Sequence, residues 1–173
     1  ESAAACTACT AGSIARSNRS AYCEVCDQGF YADEDHTKCL ECEAGFQCSA
    51  GTKKPCAKGE LSAAGQANCK ACDPGEVPDG VSCKKCDPGS SAEFGAALCL
   101  PCAAGYVAPL PGASFCSVCG IGDHSNTDNT QCKVCPRNTF SLGGVSNCTS
   151  CGTAGLSKRG SVSCSPCVAG TEP

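Results

Sequence analysis

Hydrophobic and polar positions alternate along this chain only over very short distances. Segments such as Glu76-Val77, Tyr106-Val107-Ala108 and Thr139-Phe140-Ser141-Leu142 are too short for helices, and they predict strands of two to four residues joined by turns. Two recurring marks bound them. Glycine stands three residues after the second cysteine of a Cys-x-x-Cys pair in nine of eleven places: Gly12, Gly29, Gly45, Gly59, Gly75, Gly89, Gly105, Gly122 and Gly170. A backbone turn with positive φ accounts for that choice, and Asn138, of the next most tolerant residue type, holds the same place in another unit. Ala154 departs from the pattern with Gly155 one step late, which predicts a shifted turn. The second mark lies four residues before the next first cysteine, at Gly65, Gly95, Gly112, Gly144 and Gly160, with Gly80 three residues before Cys83.

The cysteines set the period. Ten Cys-x-x-Cys pairs begin at Cys6, Cys23, Cys39, Cys69, Cys83, Cys99, Cys116, Cys132, Cys148 and Cys164, at steps of 17, 16, 30, 14, 16, 17, 16, 16 and 16 residues. The step of 30 is double: at its middle stands Cys56, whose pair has Lys53 in its first position, with Cys48 five residues ahead of Lys53. Eleven units of about 16 residues then use all 22 cysteines. The fold this predicts is small, disulfide-rich and β: a linear tandem array of β-fingers, an extended rod with little or no helix. It runs as one continuous array through 1–173 with an irregular unit at 42–56.

Composition explains why sulfur is needed. The chain has no Trp, no Met, five Phe and three Tyr, and Ala and Cys inflate its 42% hydrophobic fraction. Side chains that bury large areas at about 25 cal/mol per Å² are too few to offset the ordering entropy of 173 residues. Cysteine at 22 of 173 passes the level that marks a disulfide scaffold and predicts an oxidising compartment, extracellular or at the cell surface. Two sequons, Asn18-Arg19-Ser20 and Asn147-Cys148-Thr149, make Asn18 and Asn147 candidates for N-glycans. The chain opens at Glu1 without a basic start or apolar run, so a signal peptide is expected to be already removed and any anchor to lie elsewhere. No segment approaches the ~20 apolar residues of a membrane helix. A net charge of −4 and the lack of a basic stripe argue against nucleic acid and anionic membrane as partners.

A simple pairing rule joins the second cysteine of one unit to the first of the next. It predicts Cys9–Cys23, Cys26–Cys39, Cys42–Cys48, Cys56–Cys69, Cys72–Cys83, Cys86–Cys99, Cys102–Cys116, Cys119–Cys132, Cys135–Cys148 and Cys151–Cys164, with Cys48 standing in for the cysteine absent at Lys53. Cys6 and Cys167 are left over, so the segment is expected to belong to a longer array or to be joined head to tail. The alternative is an interlocked pattern, such as Cys116–Cys132 with Cys119–Cys135, and sequence does not decide connectivity.

Other chemistry fits less well. Cys-x-x-Cys pairs taken two at a time could form Cys₄ zinc sites, but the uniform period and the unpaired Cys48 oppose grouping in fours. Redox catalysis lacks its strand-to-helix setting, and iron–sulfur ligation lacks its tight cluster. Asp33-Glu34-Asp35-His36 lacks the spaced oxygen ligands of a calcium loop and reads as a solvated tip, and His124 lies in another polar stretch. No nucleophile, base and orienting acid assemble locally, so neither an enzyme nor a cofactor is expected. Rings at Phe30, Phe46 and Tyr106, each directly after a turn glycine, and at Tyr22 and Phe115, each directly before a cysteine, are placed to cover neighbouring disulfides.

The segment Cys42-Glu43-Ala44-Gly45-Phe46-Gln47-Cys48 through Pro55-Cys56-Ala57-Lys58-Gly59 to Cys69-Lys70-Ala71-Cys72 resembles the ephrin-receptor-like cysteine-rich repeat, as does Cys135-Pro136-Arg137-Asn138-Thr139-Phe140 through Asn147-Cys148-Thr149-Ser150-Cys151. More loosely the chain is similar to growth-factor-receptor cysteine-rich repeats and to protist surface and mastigoneme-type extracellular proteins. The resemblance implies extracellular repeats and carries no catalytic or ligand residue. The expected function is structural, a subunit of a fibre, appendage or surface coat. Its expected partners are further copies or flanking repeats, glycans and other extracellular proteins. The alternative is the stalk or binding module of a receptor or surface antigen.

Overall fold

The computed structural model describes residues 6–17, 20–153 and 155–166. Among these residues all regular structure is strand, arranged as ten antiparallel hairpins, numbered here as fingers 1 to 10. Finger 1 pairs β1 (Ser13–Ile14) with β2 (Glu24–Val25), finger 2 pairs β3 (Phe30–Ala32) with β4 (Cys39–Glu41), and finger 3 pairs β5 (Phe46–Ser49) with β6 (Thr52–Pro55). Finger 4 pairs β7 (Glu60–Leu61) with β8 (Lys70–Ala71), and finger 5 pairs β9 (Glu76–Asp79) with β10 (Ser82–Lys85). Finger 6 pairs β11 (Ser90–Ser91) with β12 (Leu100–Pro101), finger 7 β13 (Tyr106–Val107) with β14 (Ser117–Val118), and finger 8 β15 (Asp123–Ser125) with β16 (Cys132–Val134). Finger 9 pairs β17 (Thr139–Phe140) with β18 (Thr149–Ser150), and finger 10 β19 (Gly155–Leu156) with β20 (Ser165–Pro166). The chain divides into two compact units, one of residues 1–72 and 78–83, the other of 73–77 and 84–173.

A ladder of ten disulfides closes the fingers, each from the second cysteine of one pair to the next cysteine along, Cys9–Cys23 through Cys151–Cys164, with Cα separations of 5.5–5.8 Å. In finger 3 the partner of Cys42 is Cys48, which lies directly across the hairpin from Lys53. In six of the ten bridges the second cysteine is buried and its partner is not: Cys26, Cys72, Cys86, Cys102, Cys119 and Cys135 are at most 5% exposed, while their partners stay half-buried or exposed. In finger 3 both Cys42 and Cys48 are fully buried, and Cys9, Cys56 and Cys151 are half-buried.

What covers those sulfurs is backbone. Six residues after each second cysteine comes a small side chain: Ala15, Ala32, Cys48, Ser62, Pro78, Ala92, Ala108, Ser125, Ser141 and Ser157. At seven of these positions one finger clasps the next; Pro78 has no N–H to give, and Ser62 makes no such bond. In the first unit the N–H groups of Ala15, Ala32 and Cys48 donate to the tip carbonyls of His36, Gly51 and Gln66 in the following finger, at 2.8, 3.0 and 3.2 Å. In the second, those of Ala92, Ala108, Ser125 and Ser141 donate to Ala113, Asn129, Val145 and Ser161, at 2.9–3.2 Å. A second bond runs from the turn residue to the small residue of the next finger, as in Gly29 N–H to Cys48 O at 2.9 Å and Asn138 N–H to Ser157 O at 3.1 Å. A third returns from the tip to the base of the preceding finger: Gly65 to Cys42 O, Gly112 to Cys86 O, Gly144 to Cys119 O and Gly160 to Cys135 O, at 2.8–3.0 Å.

The column is buried at Cys48, Ser62, Ala92, Ala108, Ser125 and Ser141 and half-buried at the other places, and it must be small where two backbones meet over it. Where it is serine, the hydroxyl joins the clasp. Ser62 Oγ donates to Phe46 O at 2.6 Å, and Ser125 Oγ accepts the Gly105 N–H at 3.0 Å. No buried side-chain nitrogen or oxygen among the described residues lacks a partner, as a fold with so little apolar core requires. The turn glycine is equally constrained. At Gly29, with φ of 85°, a Cβ would stand 2.2 Å from the carbonyl oxygen of Gly65, two fingers further on.

Candidate interaction surface

Finger 3 is the point where the repeat changes chemistry. Because Cys48 occupies the bridging place, the position opposite it is free to carry a long side chain, and Lys53 fills it. The ammonium of Lys53 lies 4.3 Å from the ring centroid of Phe46 and 4.8 Å from that of Tyr31. It forms an ion pair with Glu43, whose other oxygen sits 3.4 Å from the Tyr31 hydroxyl. Tyr31 belongs to finger 2, so the cluster ties two fingers together through charged and aromatic side chains as well as through the backbone clasp. The hydrogen bond from Lys53 holds the Glu43 carboxyl below its usual range, and the same bond raises Lys53 above its own. Lys53 and Glu43 retain 25% and 58% of their side-chain exposure, so solvent screens this pair.

The finger tips differ. Fingers 4, 6, 7, 9 and 10 turn through a glycine, fingers 3 and 5 close four-residue strands with Ala50-Gly51 and Gly80-Val81, and fingers 2 and 8 have three-residue strands and a loop organised by one side chain. Asp33 accepts from the Thr37 and Lys38 N–H groups at 2.7 and 3.1 Å and from the Thr37 hydroxyl at 2.9 Å. Asn126 does the same for Thr130 and Gln131 at 2.8 and 3.0 Å. The Lys38 N–H is the main cause that holds the Asp33 carboxyl below its usual range.

Asp33-Glu34-Asp35-His36 is therefore not simply a solvated tip. His36, at a φ of 55°, donates from Nδ1 to Ser13 O at 2.8 Å and so helps fasten finger 2 to finger 1. Asn129 holds the matching place in finger 8, where its side-chain amide donates to Cys102 O at 2.7 Å in place of the glycine N–H used elsewhere. His124 lies in strand β15 rather than in a loop, with Nδ1 3.0 Å from Ser125 O and 3.1 Å from Ser146 O. Among the described residues no three His, Cys, Asp or Glu side chains converge to hold a metal ion, and no helix is long and apolar enough to cross a membrane.

Asn147 is exposed in the loop before Cys148, and Thr149 of the same sequon is exposed in β18. Asn18 and Cys167 lie outside the described residues, and Cys6 is an exposed free thiol. Two of the aromatic placements differ from expectation. Tyr22 and Phe115 stand 76% and 71% exposed, so neither ring is packed over its neighbouring bridge. Phe46 packs against a cation, and Phe30 and Tyr106 keep 40% of their surface in water.

Of the shallow grooves, one of about 400 Å³ is lined mainly by apolar residues of fingers 6 and 7, including Leu98, Leu100, Tyr106 and Phe115. Another, of about 1120 Å³, runs over finger 10 beside Arg137, Lys158 and Arg159. No protein-family model matches this sequence, and no curated protein matches it significantly.

Proposed function

We propose that this chain is a structural protein of the extracellular space or cell surface, a non-catalytic building element of a fibre, appendage or coat. The observation that carries this reading is the recurrence of one join from finger to finger within each unit. The disulfide recurs in every finger and the same backbone hydrogen bonds recur within each unit, so an element is specified by the one or two that follow it and the surface between them is free to repeat. Ten intrachain disulfides call for an oxidising environment. Asn147, exposed and outside the clasp, could carry a glycan without disturbing a joint.

Electron microscopy of the native, unreduced material tests it. Filaments or a periodic coat are expected, and a lasting monomer that captures a soluble partner would overturn it. The second reading, a binding module, is favoured by one observation: among the described residues finger 3 alone carries a cation against two aromatic rings. Loss of partner capture in Lys53→Met with the coat or fibre unaffected would establish that module in its place.

A further inference from the structure

Fingers 6 and 7 are unlike the rest of the chain in what they leave in water. From Pro88 to Gly122 the only charged residue is Glu93, in a protein that is 17% charged. Within this segment Leu98, Leu100 and Phe115 are 59%, 61% and 71% exposed, and with Tyr106 they line a single groove. Val118, directly across the hairpin from Tyr106 and 57% exposed, extends the same face. Given roughly 150–250 Å² for a whole aromatic side chain, the exposed apolar area is on the order of 500 Å², the size at which a patch marks an interaction site.

The repeat supplies its own control for whether the fold needs these residues. The position just before a first cysteine holds Leu98 and Phe115 here and Tyr22 in finger 1, but Lys38, Asn68, Ser82, Gln131, Asn147 and Ser163 in other fingers. The position just after it holds Leu100 here and Leu40 in finger 2, but Glu24, Lys70, Lys84, Lys133, Thr149 or Ser165 in the others. Polar side chains serve equally well in the same hairpin, so the apolar ones answer to something outside the chain.

We propose that this face is a lateral docking surface for a second copy of the same chain, paired about a two-fold axis. The charge distribution selects that occupant. A partner of opposite charge would be held by cations or carboxylates, and this face offers almost none. Two copies that each carry a net charge of −4 repel in most orientations, and here they can meet without setting like charges together. A two-fold contact places each patch on its own image, so one apolar surface suffices for both partners. The inference deepens the structural reading above and rests on it, since lateral pairing is how repeating elements form a coat or bundle.

The test is sedimentation equilibrium of the full, disulfide-intact chain over a wide concentration range, alone and as the triple variant Leu98→Lys, Leu100→Lys, Phe115→Gln. Each replacement is a residue type that other fingers carry near their first cysteine, so unreduced peptide maps should show the same bridges. The wild type is expected to form a dimer that persists in high salt, as apolar association does. The variant should weaken it at least about 100-fold. A wild type that stays monomeric, a dimer that the variant leaves intact, or a monomer that binds phosphatidylcholine vesicles through this face would each overturn the proposal. Filaments that persist in the variant would defeat the docking surface and spare the structural reading, whereas dimers without any longer assembly would do the reverse.

Discussion

At the scale of single residues, stability depends on backbone atoms approaching closely where ordinary proteins bring side chains together. Gly29 and Gly152 both hold positive φ, but a Cβ at Gly29 would strike the Gly65 carbonyl at 2.2 Å while one at Gly152 would meet nothing within 4 Å. Gly152→Ala should then cost only the left-handed backbone penalty, about 1–2 kcal/mol. Gly29→Ala should cost about 1–3 kcal/mol more, because the tip of finger 4 must move and loosen its bond to Cys42. Urea denaturation of the unreduced variants measures the difference. The Lys53–Glu43 pair adds a pH dependence of known sign. Glu43 is held low, so its contribution is in place above the ordinary glutamate value and disappears as pH falls through the lowered one. Lys53 is raised, so its contribution is complete below the ordinary lysine value and fades only as pH rises through the raised one. A double-mutant cycle with Glu43→Gln and Lys53→Met should show coupling at neutral pH that vanishes in strong acid. Coupling that survived protonation of Glu43 would assign the cluster to ring packing alone.

At the scale of the element, each finger is a short hairpin whose two ends are fixed by different means, sulfur at the base and backbone hydrogen bonds at the tip. Finger 3 shows that the base tolerates rewiring, since Cys48 reaches Cys42 from the strand opposite the usual one. The double variant Cys48→Ser, Lys53→Cys should therefore bridge Cys42 to the new thiol at position 53, with serine at 48 matching Ser62 and Ser125 in the same column. Peptide mapping without reduction reads this directly, and free or scrambled thiols would mean that the finger has committed to its own geometry. The hairpins were legible in the sequence because their determinants are local: a glycine for a positive-φ turn and cysteines at a fixed step. The clasp was not, because its donors and acceptors are main-chain groups that every residue possesses. Its one trace, the column of small residues from Ala15 to Ser157, carries no reactive chemistry to draw notice. Lys53 was visible only as a missing cysteine. Its setting depends on Tyr31 of the neighbouring finger, and no spacing within finger 3 encodes that.

At the scale of the whole molecule, the usual placement of side chains is largely inverted: among the described residues the buried positions hold half-cystines and small residues with only Ile14 and Val107 besides, while most leucines and aromatic rings face water. Stability must then come from restricting the unfolded chain. Nine of the bridges span 11–14 residues and one spans 6, and each is worth about 3 kcal/mol in the chain-entropy view. Such terms are local, which makes the cost of losing one local as well. Replacing the finger 9 bridge by Cys135→Ser with Cys148→Ser removes the loop constraint that keeps β17 and β18 in register. The amides that reach into that finger or leave from it, those of Gly122, Ser125, Ser141 and Gly144, should exchange with solvent on the order of 100-fold faster, the rate equivalent of the lost bridge. Amides that bond between fingers 6 and 7, such as Ala92 and Gly112, depend on other bridges and should keep their protection. If both groups lost protection together, the second unit would unfold as one cooperative body and the nearest-neighbour description of its stability would fail. If only the first group did, an array of this kind could lose a joint to oxidative or reductive damage and still hold its form on either side.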